Sequence, residues 1–208
     1  MAGTESNWET VLALPGPVSQ IPPAKALRGT VIATSLGMAR EHGFEAKYFD
    51  HLPSELHAAV RDLQAASWVP MEVVVPHYRA MSHVFPSSEQ QVENGRVSSE
   101  RTQNAYIRTV VRALQATGQV SPLTGLKRLP AVFGRMLNGG GAAAVYSIGP
   151  KDARIELVNY PLLEVAYVRN GWQGMFESGL SLMSRRVVVK QDPKFRGVHN
   201  TAYVVSWV

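Results

Sequence analysis

The chain has no cysteine among its 208 residues. That absence removes disulfides, thiolate zinc sites, iron–sulfur clusters and cysteine nucleophiles, and it fits a reducing compartment. No run approaches the roughly 18 consecutive apolar residues that a membrane-spanning helix needs. The N-terminus lacks a basic stretch leading into an apolar one, and Met1-Ala2-Gly3 lacks the glycine directly after methionine that myristoylation requires. The expectation is a cytoplasmic protein with no membrane span. Catalytic signatures are missing as well. There is no Gly-x-Ser-x-Gly elbow, and Ser178 and Ser181 fall inside a helical pattern. Gly139-Gly140-Gly141 leads from helix into strand with no Gly-Lys-Ser/Thr closure, so it reads as a helix cap and hinge rather than a phosphate loop. Glu156, Glu164 and Glu177 suit solvent-facing or capping roles better than acid–base work. The chain is therefore not expected to be an enzyme or to carry a cofactor.

What is present is an ordinary globular mixture, with 45% apolar and 18% charged residues and a net charge of +5. The basic balance favours anionic partners, but 21 Lys and Arg spread along the chain read mainly as solvated surface, which disfavours nucleic acid. Residues 1–23, with Pro15, Pro17, Pro22 and Pro23, read as a flexible tail from which Trp8, Val11, Leu12 and Leu14 could dock. A single α+β domain is expected over 24–208.

Within it, the segment from Lys25 to about Glu41 reads as a helix ending near His42-Gly43, with a strand over Gly29–Thr34 as the alternative because Thr30, Val31 and Ile32 are β-branched. Leu52, Leu56, Ala59, Val60 and Leu63 repeat at helical spacing. Met71 to Met81 is a short helix or an extended piece, because Pro76 opposes an unbroken helix. Phe85–Arg96 reads as a loop, followed by a helix from Ser99 to Thr117. Ser121-Pro122 opens another helix, which Pro130 kinks or divides. Ala143–Ile148 and Arg154–Asn159 flank a turn and predict one hairpin; Arg185–Gln191 and Ala202–Val208 predict a second. Between them runs a helix to Met183, whose Gly171, Gly174 and Gly179 suggest close approach to a sheet. The fold class is α+β: N-terminal and middle helices packed on a C-terminal antiparallel sheet of chain order β-β-α-β-β.

Leu52-Pro53-Ser54-Glu55-Leu56, the break Ser67-Trp68-Val69-Pro70, the helix around Asn170-Gly171-Trp172-Gln173-Gly174-Met175-Phe176-Glu177 and the tail Ala202-Tyr203-Val204-Val205-Ser206-Trp207 resemble a myxobacterial paralogous family of unknown function. That family is in turn similar to the vinyl-reductase-like domain, the haem-nitric-oxide-binding-like fold and the TRAPP tethering subunits. The resemblance covers roughly residues 28–208. It implies a compact module, often dimeric, that holds a small apolar ligand or docks on a protein. Vinyl-reductase-like domains usually carry cysteines in and near the last hairpin, and Arg186–Val208 has none.

Candidate residues follow from these patterns. His77 and His83, and likewise His51 and His57, are six apart, a spacing that does not share a helix face, so metal ligation is disfavoured. His199 lies in a predicted hairpin tip. A pocket is expected between the middle helices and the sheet, with Trp68, His77, Arg101, Asn104, Tyr106 and Trp172 as its candidate ligand contacts. Arg185, Arg186, Lys190, Lys194 and Arg196 gather around the last hairpin as a candidate anion or partner patch, or as a guard on an edge strand. The expected function is a non-catalytic sensor or adaptor domain, a homodimer that binds a small apolar ligand or docks onto a protein partner. Two alternatives stand: a haem or tetrapyrrole binder or enzyme on a hydrophobic molecule, and a nucleic-acid binder using the basic hairpin.

Overall fold

A computed structural model describes residues 8–102 and 121–208. The element order is β1 (Glu9–Leu12), β2 (Ala26–Arg28), α1 (Gly29–Glu41), α2 (Glu45–His51), α3 (His57–Arg61), β3 (Trp68–Pro70), α4 (Met71–Val84) and α5 (Ser88–Thr102). After residues 103–120 come α6 (Pro122–Leu126), α7 (Leu129–Met136), β4 (Leu137–Asn138), β5 (Ala142–Gly149), β6 (Asp152–Val158), α8 (Ala166–Ser181), β7 (Val187–Gln191) and β8 (Thr201–Trp207).

The main sheet has five strands in the spatial order β1-β5-β6-β8-β7, all antiparallel. The α+β class holds, and β5-β6-α8-β7-β8 run in succession along the chain. The spatial arrangement adds something the chain order does not contain. Part of the supposed tail, Glu9–Leu12, pairs with β5 and forms one edge of the sheet. Its alternation is too short to register, yet pairing satisfies backbone groups that β5 would otherwise leave open.

Val145, Ile155 and Tyr203 stand side by side across three strands, each fully buried. This face is covered by α8, whose Phe176 meets the Tyr203 ring edge-on at 5.3 Å. Tyr203 donates its hydroxyl hydrogen to the Arg169 carbonyl at 2.8 Å, which satisfies a polar tip inside an apolar layer. A smaller sheet, β3-β2-β4, joins the N-terminal helices to the end of α7.

Local chemistry explains three helix ends. α1 stops in a Schellman arrangement: Gly43 takes a φ of +72°, Phe44 N–H reaches the Ala39 carbonyl at 2.8 Å and Gly43 N–H reaches Arg40 at 2.9 Å. Ser121 caps α6 through the Thr124 amide, and Pro130 opens α7, so the predicted division occurs.

Two expectations fail. α4 runs unbroken through Pro76, because Val74, His77, Tyr78 and Met81 bury one continuous face and outweigh one lost backbone hydrogen bond. The segment read as a loop, Phe85–Arg96, is mostly the helix α5, whose polar sequence hides the reason for it. That reason is close backbone packing on α8. A Cβ on Gly95 would lie 1.8 Å from the Gly171 carbonyl oxygen, and one on Gly174 would lie 1.9 Å from that of Val92. These two glycines of α8 thus accommodate a helix rather than the sheet, while a Cβ on Gly179 would meet nothing within 4 Å. The predicted helix Ser99–Thr117 falls largely outside the described residues.

Candidate functional site

Two places in this frame hold unusual chemistry. The first is a sealed polar triad among the N-terminal helices. α1 supplies Ser35, α2 supplies Tyr48 and α4 supplies His77, which is completely buried. Tyr48 Oη lies 2.6 Å from His77 Nδ1, and His77 Nε2 lies 2.7 Å from Ser35 Oγ. Ser35 donates onward to the Ile32 carbonyl at 2.9 Å. One proton order satisfies all of them: tyrosine donates to Nδ1, Nε2–H donates to serine, and serine donates to the backbone. Burial pushes the His77 pKa down to about 3 and raises that of Tyr48, so both groups stay neutral. Both ring nitrogens are engaged, and the triad acts as a pin between three helices.

The second is an apolar cleft of about 310 Å³ between the N-terminal strand region, α7 and the start of β5. Leu12 and Pro15 form one wall, Phe133 and Gly134 of α7 the second, and Ala143 and Tyr160 the floor. Its shape depends on Gly139-Gly140-Gly141, all with positive φ. Gly141 donates to the Pro22 carbonyl at 2.8 Å, which draws the N-terminal segment in, and any Cβ on Gly141 would strike the Tyr160 ring at 2.2 Å. The cap role read from sequence does not hold, because α7 ends at Met136 with an extended Leu137 and β4 stands between that helix and the glycines; their role is to let chain and ring approach.

Among the described residues, only one predicted contact residue adjoins this cleft. Trp172 stacks on Phe133 at 5.4 Å and meets Tyr160 edge-on at 5.6 Å, behind the lining. Trp68 sits on β3, partly exposed, with the Arg28 guanidinium 4.0 Å above its ring. Arg101 is on the surface and forms a two-point pair with Glu41 at 2.6 and 3.0 Å. Asn104 and Tyr106 lie outside the described residues. The cleft therefore forms beside the N-terminal segment instead of among Arg101 and His77. Sequence reasoning missed Ser35 and Tyr48, which carry no periodic signal, and left Tyr160 and Pro15 unassigned.

No family model matches the chain, and no curated protein matches its sequence. Solved structures do. A mutant of the Fe(II) unliganded H-NOX protein from K. algicida superimposes with a TM-score of 0.63 at 8% identity, covering 88% of this chain and 97% of the other. The unmutated protein from the same source gives 0.61, again at 8% identity, with the same coverage of each chain. A structure from work probing the function of heme distortion in the H-NOX family gives 0.57 at 12% identity, covering 87% and 95%. The fold is H-NOX-like.

On this H-NOX-like frame the basic residues divide. Arg185 and Arg186 precede β7, Lys190 points outward from it, and Lys194 and Arg196 lie in the loop beyond. A five-residue strand, roughly 17 Å long, separates the two ends. The loop end is anchored by Arg154 on β6, which pairs with Glu156 at 2.8 Å and with Asp192. The rings of Trp8 and Phe195 flank that guanidinium at 5.3 and 5.4 Å. Among the described residues, no helix is long and apolar enough to cross a membrane.

Proposed function

We propose that the chain is a non-catalytic, ligand-binding sensor domain whose ligand site is the cleft beside Phe133 and Tyr160. The supporting observation is the cleft itself, apolar and partly open, on a fold shared with H-NOX proteins. Its volume stands at the lower end of the roughly 300–1,000 Å³ typical of small-molecule sites. The occupant is a compact apolar molecule. Because Leu12, Ala13 and Pro15 line the site and Glu9–Leu12 pairs with β5, ligand binding is felt directly by the sheet edge. That edge offers the route to a protein partner or a second copy of the chain.

Gly134 supplies the test. Gly134 lines the cleft and a Cβ there meets nothing within 4 Å, so Gly134→Leu is expected to crowd the cleft while removing a glycine from a helix. Nile red titrated into the protein is expected to saturate with enhanced emission, and Gly134→Leu is expected to weaken that binding at least tenfold while raising thermal stability slightly. Equal binding by both forms would refute the cleft as the site.

The second reading, a haem or tetrapyrrole carrier, is favoured by the fold likeness to structures that include one studied for heme distortion. The donor set of this chain does not fit a histidine-held haem. No histidine lines the cleft. Both nitrogens of His77 are engaged. His51 and His83 stack on each other at 4.3 Å at the surface, His57 Nε2 is 3.0 Å from the Phe49 and Leu52 carbonyls, and His42 Nδ1 is 2.8 Å from that of Met38. His199 faces Glu164 at 3.9 Å. All six histidines of the sequence are accounted for in these positions.

A further inference from the structure

Arg169 lies in the first turn of α8 and is only 8% exposed. Its Nη1 donates to the carbonyls of Leu163 and Glu164, the latter at 3.0 Å. Among the described residues no carboxylate pairs with it, and Nε and Nη2 have no protein acceptor. No buried side-chain nitrogen or oxygen among those residues lacks a partner, so this free edge opens toward solvent. Glu164, whose backbone carbonyl Arg169 holds, has its own carboxylate engaged elsewhere: it binds Arg79 at 2.6 Å and faces His199 at 3.9 Å.

The charged group acting on Arg169 is of its own sign. Burial lowers its pKa, and the field of Arg196 lowers it further. The loop between β7 and β8 carries Arg196 and is held at this spot by the Tyr160 amide, which donates to the His199 carbonyl at 3.0 Å. α8 adds to the positive potential, since its first turn has no side-chain cap. A buried cation beside another cation is a costly arrangement that an anion would relieve.

We propose that Arg169 and Arg196 form a binding site for an oxyanion, the phosphate or carboxylate group of a small ligand. The Nε–Nη2 edge of Arg169 offers the planar fork that grips such a group at two points, and the positive field of Arg196 from the loop adds to its attraction for an anion. The site stands apart from the lining of the apolar cleft and does not depend on that reading.

The test is thermal unfolding of the full chain in sodium phosphate, in sodium acetate and in sodium chloride at matched ionic strength. The wild type is expected to melt several degrees higher in phosphate or acetate than in chloride, with a saturable concentration dependence. Whichever salt gives the larger shift identifies the ligand group. Arg196→Ala is expected to melt higher than wild type in chloride, because the like-charged neighbour is gone, and to lose the oxyanion shift. Arg169→Gln should lose that shift as well; should it fail to fold, the Arg196 comparison alone decides. The proposal is overturned if neither oxyanion shifts the wild type, if Arg196→Ala keeps the shift, or if that variant is less stable in chloride.

Discussion

His77 and Arg169 are both buried basic side chains, one among the helices and the other where α8 meets the sheet, yet they are built in opposite ways. Each polar atom of the His77 ring finds a neutral partner, the ring stays uncharged, and nothing remains to bind. Arg169 keeps its charge, spends one nitrogen on two carbonyls and leaves its other edge unmatched. A closed network fixes an architecture, whereas an open one invites a ligand. Burial of a polar residue is therefore a weak sign of function until its partners are counted.

Breaking the closed side should cost most. His77→Ala leaves a cavity and strands Tyr48 and Ser35 without their shared partner, so urea unfolding should show a loss of about 3–5 kcal/mol at unchanged slope. Tyr48→Phe removes only the donor to Nδ1 and is expected to cost about 1–3 kcal/mol in the same assay.

Acid sharpens the contrast. The folded-state pKa of His77, about 3, lies below the unfolded value of 6.5, so the unfolded chain takes up the proton first. The contribution is complete above pH 6.5 and declines as pH falls from there toward 3, with a slope approaching about 1.4 kcal/mol per pH unit. Arg196→Ala should keep this slope, since no arginine titrates in that window; Tyr48→Phe should alter it. The smallest effect is expected at the sheet's outer face. Trp8→Ala removes one ring from beside Arg154, and chemical unfolding should register a loss of about 0.5–1 kcal/mol.

The C-terminal hairpins were legible because alternation and turn residues are local: Tyr203, Val205 and Trp207 share a face, and Gly149 to Asp152 closes β5 onto β6. The α+β class followed. Helix α5 was not legible, because Ser88–Thr102 is polar and its partner contact is written in Gly95, Gly171 and Gly174, far apart in sequence. β1 escaped for a related reason, since four residues carry too few alternations to outweigh the prolines after them. Pro76 misled by its local meaning, which the buried face of α4 overrides.

The candidate site was less legible than the fold. Trp172 belongs beside the cleft, but the cleft's walls come from Leu12, Phe133 and Tyr160, which only the folded chain brings together. Arg169 sits in an apolar stretch as one charge among many, and only the lack of a carboxylate partner among the described residues sets it apart.

The most direct measurement is the absorption spectrum of the purified protein titrated with hemin, repeated for each histidine replaced in turn. No sharp Soret band saturating at one equivalent through a histidine ligand is expected, because the only fully buried imidazole already uses both nitrogens. A stoichiometric band that disappears with a single folded histidine variant would contradict it.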